Sequence, residues 1–225
     1  MKTMPLRHWI LLPYKLLRVA WLVLVQYGWL ASYCRQRSIG PGGQPVPWYS
    51  YAAIEYLDSF DWQQARVFEY GCGNSSRFWA ARAHEVHAAE NDADWAAQVG
   101  AYGLGNLTVH HAADRQAYVQ TPSRVGGLFD LVILDGRFRH ACVDAALAAI
   151  APGGIVVLDN ADWYPDACTS LRTKGWFQID FSGLGPINAY CTTTSVFIRA
   201  DVRQARREPP PRPIGGLPLH GDADD

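Results

Sequence analysis

The chain has 225 residues, of which 49% are hydrophobic and 18% charged, so it is long and apolar enough to fold as one domain with a substantial core. Its formal net charge of −1 gives no overall attraction to nucleic acid. The 5 cysteines are scattered and odd in number, without a C-x-x-C pair. This pattern argues against a disulfide framework or a zinc site and favours a reducing compartment such as the cytoplasm.

Residues 1–37 form an apolar and basic segment. No Asp or Glu precedes Glu55, and the charged residues before it are all cations: Lys2, Arg7, Lys15, Arg18, Arg35 and Arg37. Residues 9–33 are rich in Trp and Tyr, which suit a water–lipid boundary, but the cleanest apolar stretch (19–32) is shorter than the ~20 residues of a spanning helix. Three interpretations stay open: a helix in the plane of a membrane surface, an imperfect spanning helix, or an arm packed on the chain itself or on a second subunit.

The rest of the chain alternates between strand-like and helix-like patterns. Residues 38–47, rich in Gly and Pro, predict a linker, and residues 48–60 predict a helix that leads into the core. Strands are predicted at 66–70, 86–90, 107–111, 129–135, 155–159, 177–181 and 193–199, with helices at 75–83, 94–99, 140–151 and 165–174. The alternation predicts an α/β domain with a mostly parallel sheet over residues 48–202. The Pro-rich tail, 203–225, is predicted to be disordered.

A glycine-rich turn follows the first predicted strand, with the sequence Gly71-Cys72-Gly73-Asn74-Ser75-Ser76. Glycines let the backbone turn sharply and approach a ligand, and free N–H groups at the helix start near Asn74 and Ser75 can bind polar ligand atoms. Glu90 ends the next strand, where an acid can accept hydrogen bonds from both hydroxyls of a ribose. Ser76 replaces the third glycine of the dinucleotide pattern, which argues against NAD.

The run E-Y-G-C-G-N-S-S, which begins at Glu69, resembles motif I of class I S-adenosylmethionine-dependent methyltransferases. The resemblance covers roughly residues 48–200 and implies a three-layer, Rossmann-like α/β sheet whose last strand is antiparallel. It also implies that Glu69 orients the methionine end of the cofactor, that Gly71 and Gly73 line it, and that Glu90 holds its ribose. Asp114 lies where these families often contact the adenine, and a turn or helix-capping Asp is the alternative.

Two further acids end buried strands, Asp135 and Asp159, and Asn160 follows the second. Parallel neighbouring strands would bring the two carboxylates to one edge of the sheet, where a magnesium or calcium ion can neutralise them. The arrangement resembles the metal-dependent O-methyltransferases, catechol and caffeoyl-CoA types among them, which implies a metal at these three residues. Those families often carry a lysine base where this chain has Phe138. The alternative is that Asp135 contacts substrate while Asp159 and Asn160 form a turn.

Four polar side chains are predicted nearest the reacting methyl: Asp135, Arg137, Arg139 and His140. His140 is a candidate general base near neutral pH, with a simple helix-start residue as the alternative. Arg137 and Arg139 are candidates to bind a substrate phosphate or carboxylate, although we expect at least one of them to form a structural ion pair.

The sequence therefore predicts methyl transfer from S-adenosylmethionine to a hydroxyl of a small, lipid-type or sugar-type acceptor. N-methyl transfer and a non-catalytic cofactor-binding accessory protein are the alternatives. The expected cofactors are S-adenosylmethionine and a magnesium or calcium ion. The expected partners are a small or lipid-linked substrate and no nucleic acid, with peripheral membrane contact through residues 1–37 and a homodimer left open. We expect the protein in the cytoplasm, with a location at the inner face of the membrane left open.

Overall fold

Strands and helices alternate from residue 66 onward in the computed structural model, which describes residues 6–216. The strands are β1 (Arg66–Tyr70), β2 (Glu85–Glu90), β3 (Leu107–His111), β4 (Phe129–Leu134), β5 (Ile150–Leu158), β6 (Phe177–Leu184) and β7 (Cys191–Ile198). The α-helices are α1 (Leu6–Trp21), α2 (Trp29–Arg35), α3 (Tyr51–Asp58), α4 (Asn74–Ala80), α5 (Ala93–Gly100), α6 (Arg115–Val119), α7 (Thr121–Val125), α8 (Arg139–Ala149) and α9 (Pro165–Thr173). A π-helical turn (Leu22–Gln26) follows α1, and a short 3-10 turn (Ala161–Trp163) follows β5.

The strands form one seven-stranded sheet in the order β3-β2-β1-β4-β5-β7-β6. Strands β1 to β5 pair in parallel, whereas β7 runs antiparallel to both β5 and β6. The chain reaches the outer edge at β6 and returns through a hairpin, which places β7 between β5 and β6. The predicted three-layer, Rossmann-like α/β sheet with an antiparallel last strand is confirmed.

The central strands β1, β4 and β5 are buried on both faces. One face, represented by Tyr70 and Leu134, packs against the helices that follow β3, β4 and β5; the other, represented by Val67 and Ile133, packs against α3 and α4. Strands covered on both sides need apolar side chains at nearly every position, which is why their sequences are almost continuously hydrophobic. The carboxyl ends of β1, β2, β4 and β5 meet at one edge, and the candidate site lies there.

Helix α2 is fastened to the Gly- and Pro-rich segment that follows it. The buried Ser32 hydroxyl donates to the carbonyl of Ile39 at 2.6 Å and accepts from the Ile39 N–H at 3.1 Å. Gly28, before α2, has φ +76°, and a Cβ there would lie 2.6 Å from the Pro41 nitrogen, so this approach requires glycine. Residues 38–47, predicted as a linker, form a compact turn closed by a bridge between Ile39 and Pro45.

Helix α1 projects from this fastened region. Every side chain from residue 10 to residue 21 is exposed except Leu12, which is half-buried. Within the described residues, no single helix has both the length and the hydropathy to cross a membrane; by length and composition alone, 10–26 together with α2 meet the test as a pair bent by 50°.

The chain beyond β7 packs back on α3, where the sequence predicted a disordered tail from residue 203. Arg206 pairs with Phe60 as an isolated β-bridge, and its guanidinium lies 4.2 Å from the ring centre of Phe60. Arg207 forms an ion pair with Asp58 at 3.2 Å. These contacts with distant aromatic and acidic side chains stabilise a segment whose composition alone favours disorder. Residues 217–225 lie outside the described residues.

Candidate active site at the carboxyl edge of the sheet

The glycine turn after β1 lies directly against the loop that follows β4. Gly71 has φ +93°, and a Cβ there would lie 3.0 Å from the Cα of Gly136. A Cβ on Gly136 would meet the Gly71 nitrogen at 2.7 Å and the Tyr118 hydroxyl more closely still. Both loops therefore need glycine for their backbones to touch. The sequence analysis identified Gly71 but not Gly136, whose requirement arises only from this contact between distant segments.

The Glu69 carboxylate lies buried beneath the glycine turn. Its Oε2 accepts a hydrogen bond from the Ser76 hydroxyl at 2.5 Å, and the Ser76 oxygen accepts in turn from the Gly73 N–H at 3.1 Å. Its Oε1 has no hydrogen-bond partner among the described residues. Burial raises the pKa of Glu69 to about 7, and the nearby hydroxyls of Ser75, Ser76 and Tyr49 act to lower it. The result is a buried acid with one open oxygen, linked to the turn through Ser76.

Glu90 fastens the glycine turn to the end of β2. Its Oε1 accepts hydrogen bonds from the backbone N–H groups of Asn91 at 2.7 Å and Asp92 at 3.0 Å, and its Oε2 accepts from the Cys72 N–H at 3.3 Å. From the sequence, Glu90 was predicted only to bind a ribose. The structure adds a positioning role, because the same carboxylate holds Cys72 in the turn.

A pocket of about 200 Å³ lies over the turn. Its lining comes from separate segments of the chain: Gln36, Arg37, Ser38, Trp48, Cys72, Gly73, Asn74, Ser75, Trp95, Val99, Tyr102, Asp135 and Ile187. Trp95 closes one side by donating its indole N–H to the Cys72 carbonyl at 2.7 Å. Asn74 closes the other by donating to the Ser38 carbonyl at 2.9 Å. Small-molecule pockets usually exceed about 300 Å³, so this pocket is small for a ligand of nucleoside size.

Two parts of the pocket lining were not predicted as site residues. They are residues 36–38 and the aromatic side chains of Trp95 and Tyr102. Residues 36–38 are far from the turn in sequence and reach it only because α2 and the compact turn fold back. Trp95 and Tyr102 lie on and after α5, with no local motif to mark them. A helix that follows the ribose-type acid in a parallel sheet begins at the same carboxyl edge, and this topology is the one signal that points to Trp95, in the first turn of α5.

Asp135 lines the pocket and is held by Arg139. The Arg139 guanidinium donates to the Asp135 carboxylate at 3.1 Å and to its carbonyl at 2.6 Å, and its Nε donates to the Gly136 carbonyl at 3.0 Å. Burial and the negative charge of Asp159 raise the pKa of Asp135, against the lowering effect of Arg139. The expectation that one of the two arginines forms a structural ion pair is confirmed for Arg139.

Asp159 and Asn160 are engaged by the protein itself. The Asp159 carboxylate accepts from the Thr194 hydroxyl at 2.7 Å, and its backbone carbonyl accepts from Arg139. The Asn160 carbonyl oxygen accepts from Arg139 at 3.0 Å. Burial raises the pKa of Asp159 to about 6, with Thr194 and Arg139 acting in the opposite direction. Neither Asp159 nor Asn160 lines the pocket.

The donor set at these residues does not fit the predicted magnesium or calcium ion. The Arg139 guanidinium already donates hydrogen bonds to side-chain oxygens of Asp135 and Asn160, and its positive charge would repel a second cation. Within residues 6–216, no group of three or more His, Cys, Asp or Glu side chains is arranged to hold a metal. In this structure Asp135 and Asn160 bind the buried Arg139 through their side chains and Asp159 binds it through its backbone carbonyl, so these residues do not fit the predicted metal ligand set.

Two predicted catalytic side chains point away from the pocket. Phe138 has a left-handed backbone with φ +57°, and the side chains of Arg137 and His140 on either side of it are exposed and line no part of the pocket. His140 lies in the first turn of α8, which is the alternative that the sequence left open. Asp114 accepts from the Ala117 N–H at 2.8 Å and caps α6, also outside the pocket lining.

Tyr49 adds a buried phenol to the acidic edge. Its hydroxyl has no hydrogen-bond partner among the described residues. Burial raises the pKa of Tyr49 well above its usual range, and the negative charges of Glu69, Asp135 and Asp159 raise it further. Asp135 is the carboxylate that lines the pocket, and Glu69, Asp159 and the Tyr49 hydroxyl are buried near it, which gives acidic surroundings that favour a cationic ligand.

Comparisons with known proteins give fold likenesses at low identity. No family model matches the chain, and no curated protein matches it. An rRNA methylase from Streptococcus thermophilus is 15% identical with a TM-score of 0.48, over 66% of this chain and 93% of the other. The N-methyltransferase NodS from Bradyrhizobium japonicum WM9 is 14% identical with a TM-score of 0.47, over 64% and 90%. DhpI, solved as a complex with SAH, is 18% identical with a TM-score of 0.47, over 66% and 83%.

Proposed function

We propose that the chain transfers a methyl group from S-adenosylmethionine to a hydroxyl oxygen of an acceptor in the pocket. The observation that carries the proposal is the buried Glu69 carboxylate, which has an open oxygen and is linked through Ser76 to a pocket-lining glycine turn. A buried acid in this state is unfavourable unless a cation or a hydrogen-bond donor completes it. S-adenosylmethionine carries both an ammonium and a sulfonium group, so it suits this acidic edge.

The residues at the turn fit the parts of the cofactor. Glu69 would face the ammonium of the methionine end, and the backbone at Gly73 would lie against the cofactor, since nothing but the Trp95 ring comes within 4 Å of a Cβ placed there. Glu90, at the end of β2, would accept from the ribose hydroxyls while keeping its bond to Cys72. The indole ring of Trp95 would lie beside the adenine.

Methyl transfer requires alignment and the removal of one proton. When bound, S-adenosylmethionine would supply the methyl group, and its sulfur would keep the electron pair of the C–S bond as the acceptor oxygen bonds to the methyl carbon. Asp135 is the pocket-lining acid whose side chain remains partly exposed, 21% by area, and it would take the hydroxyl proton. Burial raises the pKa of Asp135, which makes its carboxylate a stronger base than that of an ordinary aspartate. Arg139 would hold the Asp135 carboxylate in place.

Calorimetric titration with S-adenosylmethionine tests the cofactor placement. The Glu69→Gln variant keeps the shape and removes the charge, so we expect its affinity to fall roughly tenfold to a hundredfold, the usual effect of losing a charge-assisted hydrogen bond. Glu85→Gln is the matched control, because Glu85 begins β2 at the opposite edge of the sheet and pairs with Arg66. Equal affinities for the wild type and Glu69→Gln would contradict the placement.

Methyl-labelled S-adenosylmethionine then tests the reaction. We expect label on hydroxyl-bearing acceptors and its loss in Asp135→Asn, with cofactor affinity retained. Transfer only to amines would replace the O-methyl assignment by N-methyl transfer. Cofactor binding without transfer to any acceptor would identify a binding protein instead of an enzyme.

A further inference from the structure

Helix α1 carries an unpartnered apolar stripe. Ile10, Tyr14, Leu17 and Trp21 are spaced four, three and four residues apart, which places them on one helix face. They are 71%, 62%, 71% and 51% exposed, respectively. The described end of the tail reaches the base of the helix, where Gly215 and Gly216 line a cavity with Trp21, and among the described residues it leaves Ile10, Tyr14 and Leu17 uncovered. Four large side chains in a row at this exposure indicate a surface that something else covers.

The charges around the stripe indicate what covers it. Lys15 and Arg18 are exposed on one side of the stripe, and Arg35 and Arg37 continue the positive charge toward the pocket. No acid occurs before Glu55, so nothing in this segment offsets these cations. An apolar stripe with Trp and Tyr, on a helix whose charged residues are all cations, complements the headgroup region of an anionic lipid surface. The same cations in the middle of α1 disfavour a crossing of the bilayer interior.

The helix is joined directly to the pocket. Helix α2 ends at Arg35, and residues 36–38, which follow it, form a wall of the pocket. At its other end, Trp29 donates its indole N–H to the Asn188 carbonyl at 2.8 Å, next to the pocket-lining Ile187. Because α1 meets α2 through a single bent turn, a surface that holds α1 also lies near the pocket mouth. Exposed aromatic side chains line that side of the molecule, among them Trp48 at the pocket and the stacked pair of Trp163 and Tyr190.

We propose that α1 docks in the plane of an anionic lipid surface and that the methyl acceptor is an amphipathic molecule held in that surface. The acceptor half rests on the proposed function, whereas the docking half does not. The polar head of such an acceptor would enter between residues 36–38 and Ile187, and its apolar part would stay with the lipid beside Trp48. The acceptor would then reach the cofactor without leaving the lipid surface for water, because the pocket mouth and that surface would lie on the same side of the molecule.

Flotation of the full chain with vesicles tests the docking. We expect binding to equimolar phosphatidylcholine and phosphatidylglycerol and little binding to phosphatidylcholine alone. Ile10→Ser with Leu17→Ser removes the centre of the stripe and should weaken binding about a hundredfold. Leu16→Ser with Val19→Ser is the matched control: these residues are also exposed on α1 but lie off the stripe, so this variant should bind nearly as the wild type does.

Charge is tested separately. Lys15→Gln with Arg18→Gln should weaken binding to the mixed vesicles roughly thirtyfold, and added salt should weaken the wild type in the same direction. Removing two exposed cations elsewhere, by Arg124→Gln with Arg199→Gln, should leave binding unchanged. Equal binding to both vesicle types, or equal loss in the stripe and off-stripe variants, overturns the docking. A stable dimer in solution that buries α1 also overturns it.

The acceptor is tested with vesicles of a total membrane lipid extract and methyl-labelled S-adenosylmethionine. We expect label in the solvent-extracted lipid, reduced in the stripe variant while its calorimetric affinity for the cofactor stays unchanged. Label only in water-soluble acceptors, or none in the lipid, overturns the acceptor half. Vesicle binding without any affinity for S-adenosylmethionine would refute the proposed function and leave the docking intact, so the two failures are distinguishable.

Discussion

Replacing Glu69 by Gln should stabilise the protein at alkaline pH while it weakens cofactor binding. The pKa of Glu69 rises from its ordinary 4.5 to about 7 because the side chain is fully buried. At pH 4 the carboxyl is protonated in the folded and unfolded states, so the charge contributes no difference. Between pH 4.5 and 7 only the unfolded chain releases the proton, and the wild type loses stability as the pH rises.

The magnitude follows from the size of this change. A pKa difference of one corresponds to about 1.4 kcal/mol, so ionisation of Glu69 lowers the free energy of unfolding by about 3 kcal/mol above pH 7. The Glu69→Gln variant avoids this cost and keeps an oxygen that can accept from Ser76. We therefore expect it to be about 3 kcal/mol more stable than the wild type at pH 8 and equally stable at pH 4.

Urea denaturation at both pH values measures the effect, and Glu85→Gln provides a control of opposite sign. Hydrogen bonds from Arg66 and His87 lower the pKa of Glu85, so its ionised form stabilises the fold at pH 8 and the variant should lose stability there. A Glu69→Gln variant that is less stable at pH 8, or that differs from the wild type equally at both pH values, would refute the reasoning.

Three further predictions concern the same edge of the sheet. Affinity for S-adenosylmethionine should rise between pH 6 and 8 as Glu69 ionises with a pKa of about 7, and calorimetry across this range should show no such rise in Glu69→Gln. Gly136→Ala should lower the free energy of unfolding by about 3 kcal/mol, since its Cβ has no space between Gly71 and Tyr118, whereas Gly105→Ala, with nothing within 4 Å, should not. Arg139→Met should lower the free energy of unfolding by about 3–5 kcal/mol, because it leaves buried acids without their cation. Addition of a chelator should not change the activity of the wild type.

Much of the sheet was predictable because its strands have strong local signals. The bounds of β1 and β3 agree with the sequence prediction, and β4 differs by a single residue. Strand β5 begins five positions earlier than predicted because Ile150 already pairs with Phe129, and the Pro-Gly-Gly run lies in the register shift between this pair and the pair of Leu131 with Ile155. The turn composition of this run hid the pairing. Helices α6 and α7, at five residues each, are too short for a periodic pattern to indicate.

The site was predictable only where a motif lies on consecutive residues. The glycine turn and the acids at strand ends have that property, and the sheet brings Gly71, Glu69 and Asp135 together as the topology requires. Which of Arg137 and Arg139 turns inward depends on the left-handed backbone at Phe138, which no local pattern indicated. The wall at residues 36–38 depends on a hydrogen bond between Asn74 and Ser38, and such a contact between distant segments has no signature in one sequence.

The charge balance of this edge distinguishes among ligands that the fold alone would admit. Buried carboxylates accumulate here, and among the residues whose burial the structure describes, Arg139 is the one buried Lys or Arg. Its guanidinium is already committed to Asp135 and Asn160, so it has no capacity left to neutralise a pyrophosphate. A dinucleotide would bring more negative charge to acids whose pKa values are raised by burial and by one another. A sulfonium nucleoside with an ammonium group would instead supply the missing positive charge, and the same argument predicts that S-adenosylhomocysteine, which lacks the sulfonium charge, binds more weakly than S-adenosylmethionine at pH 8.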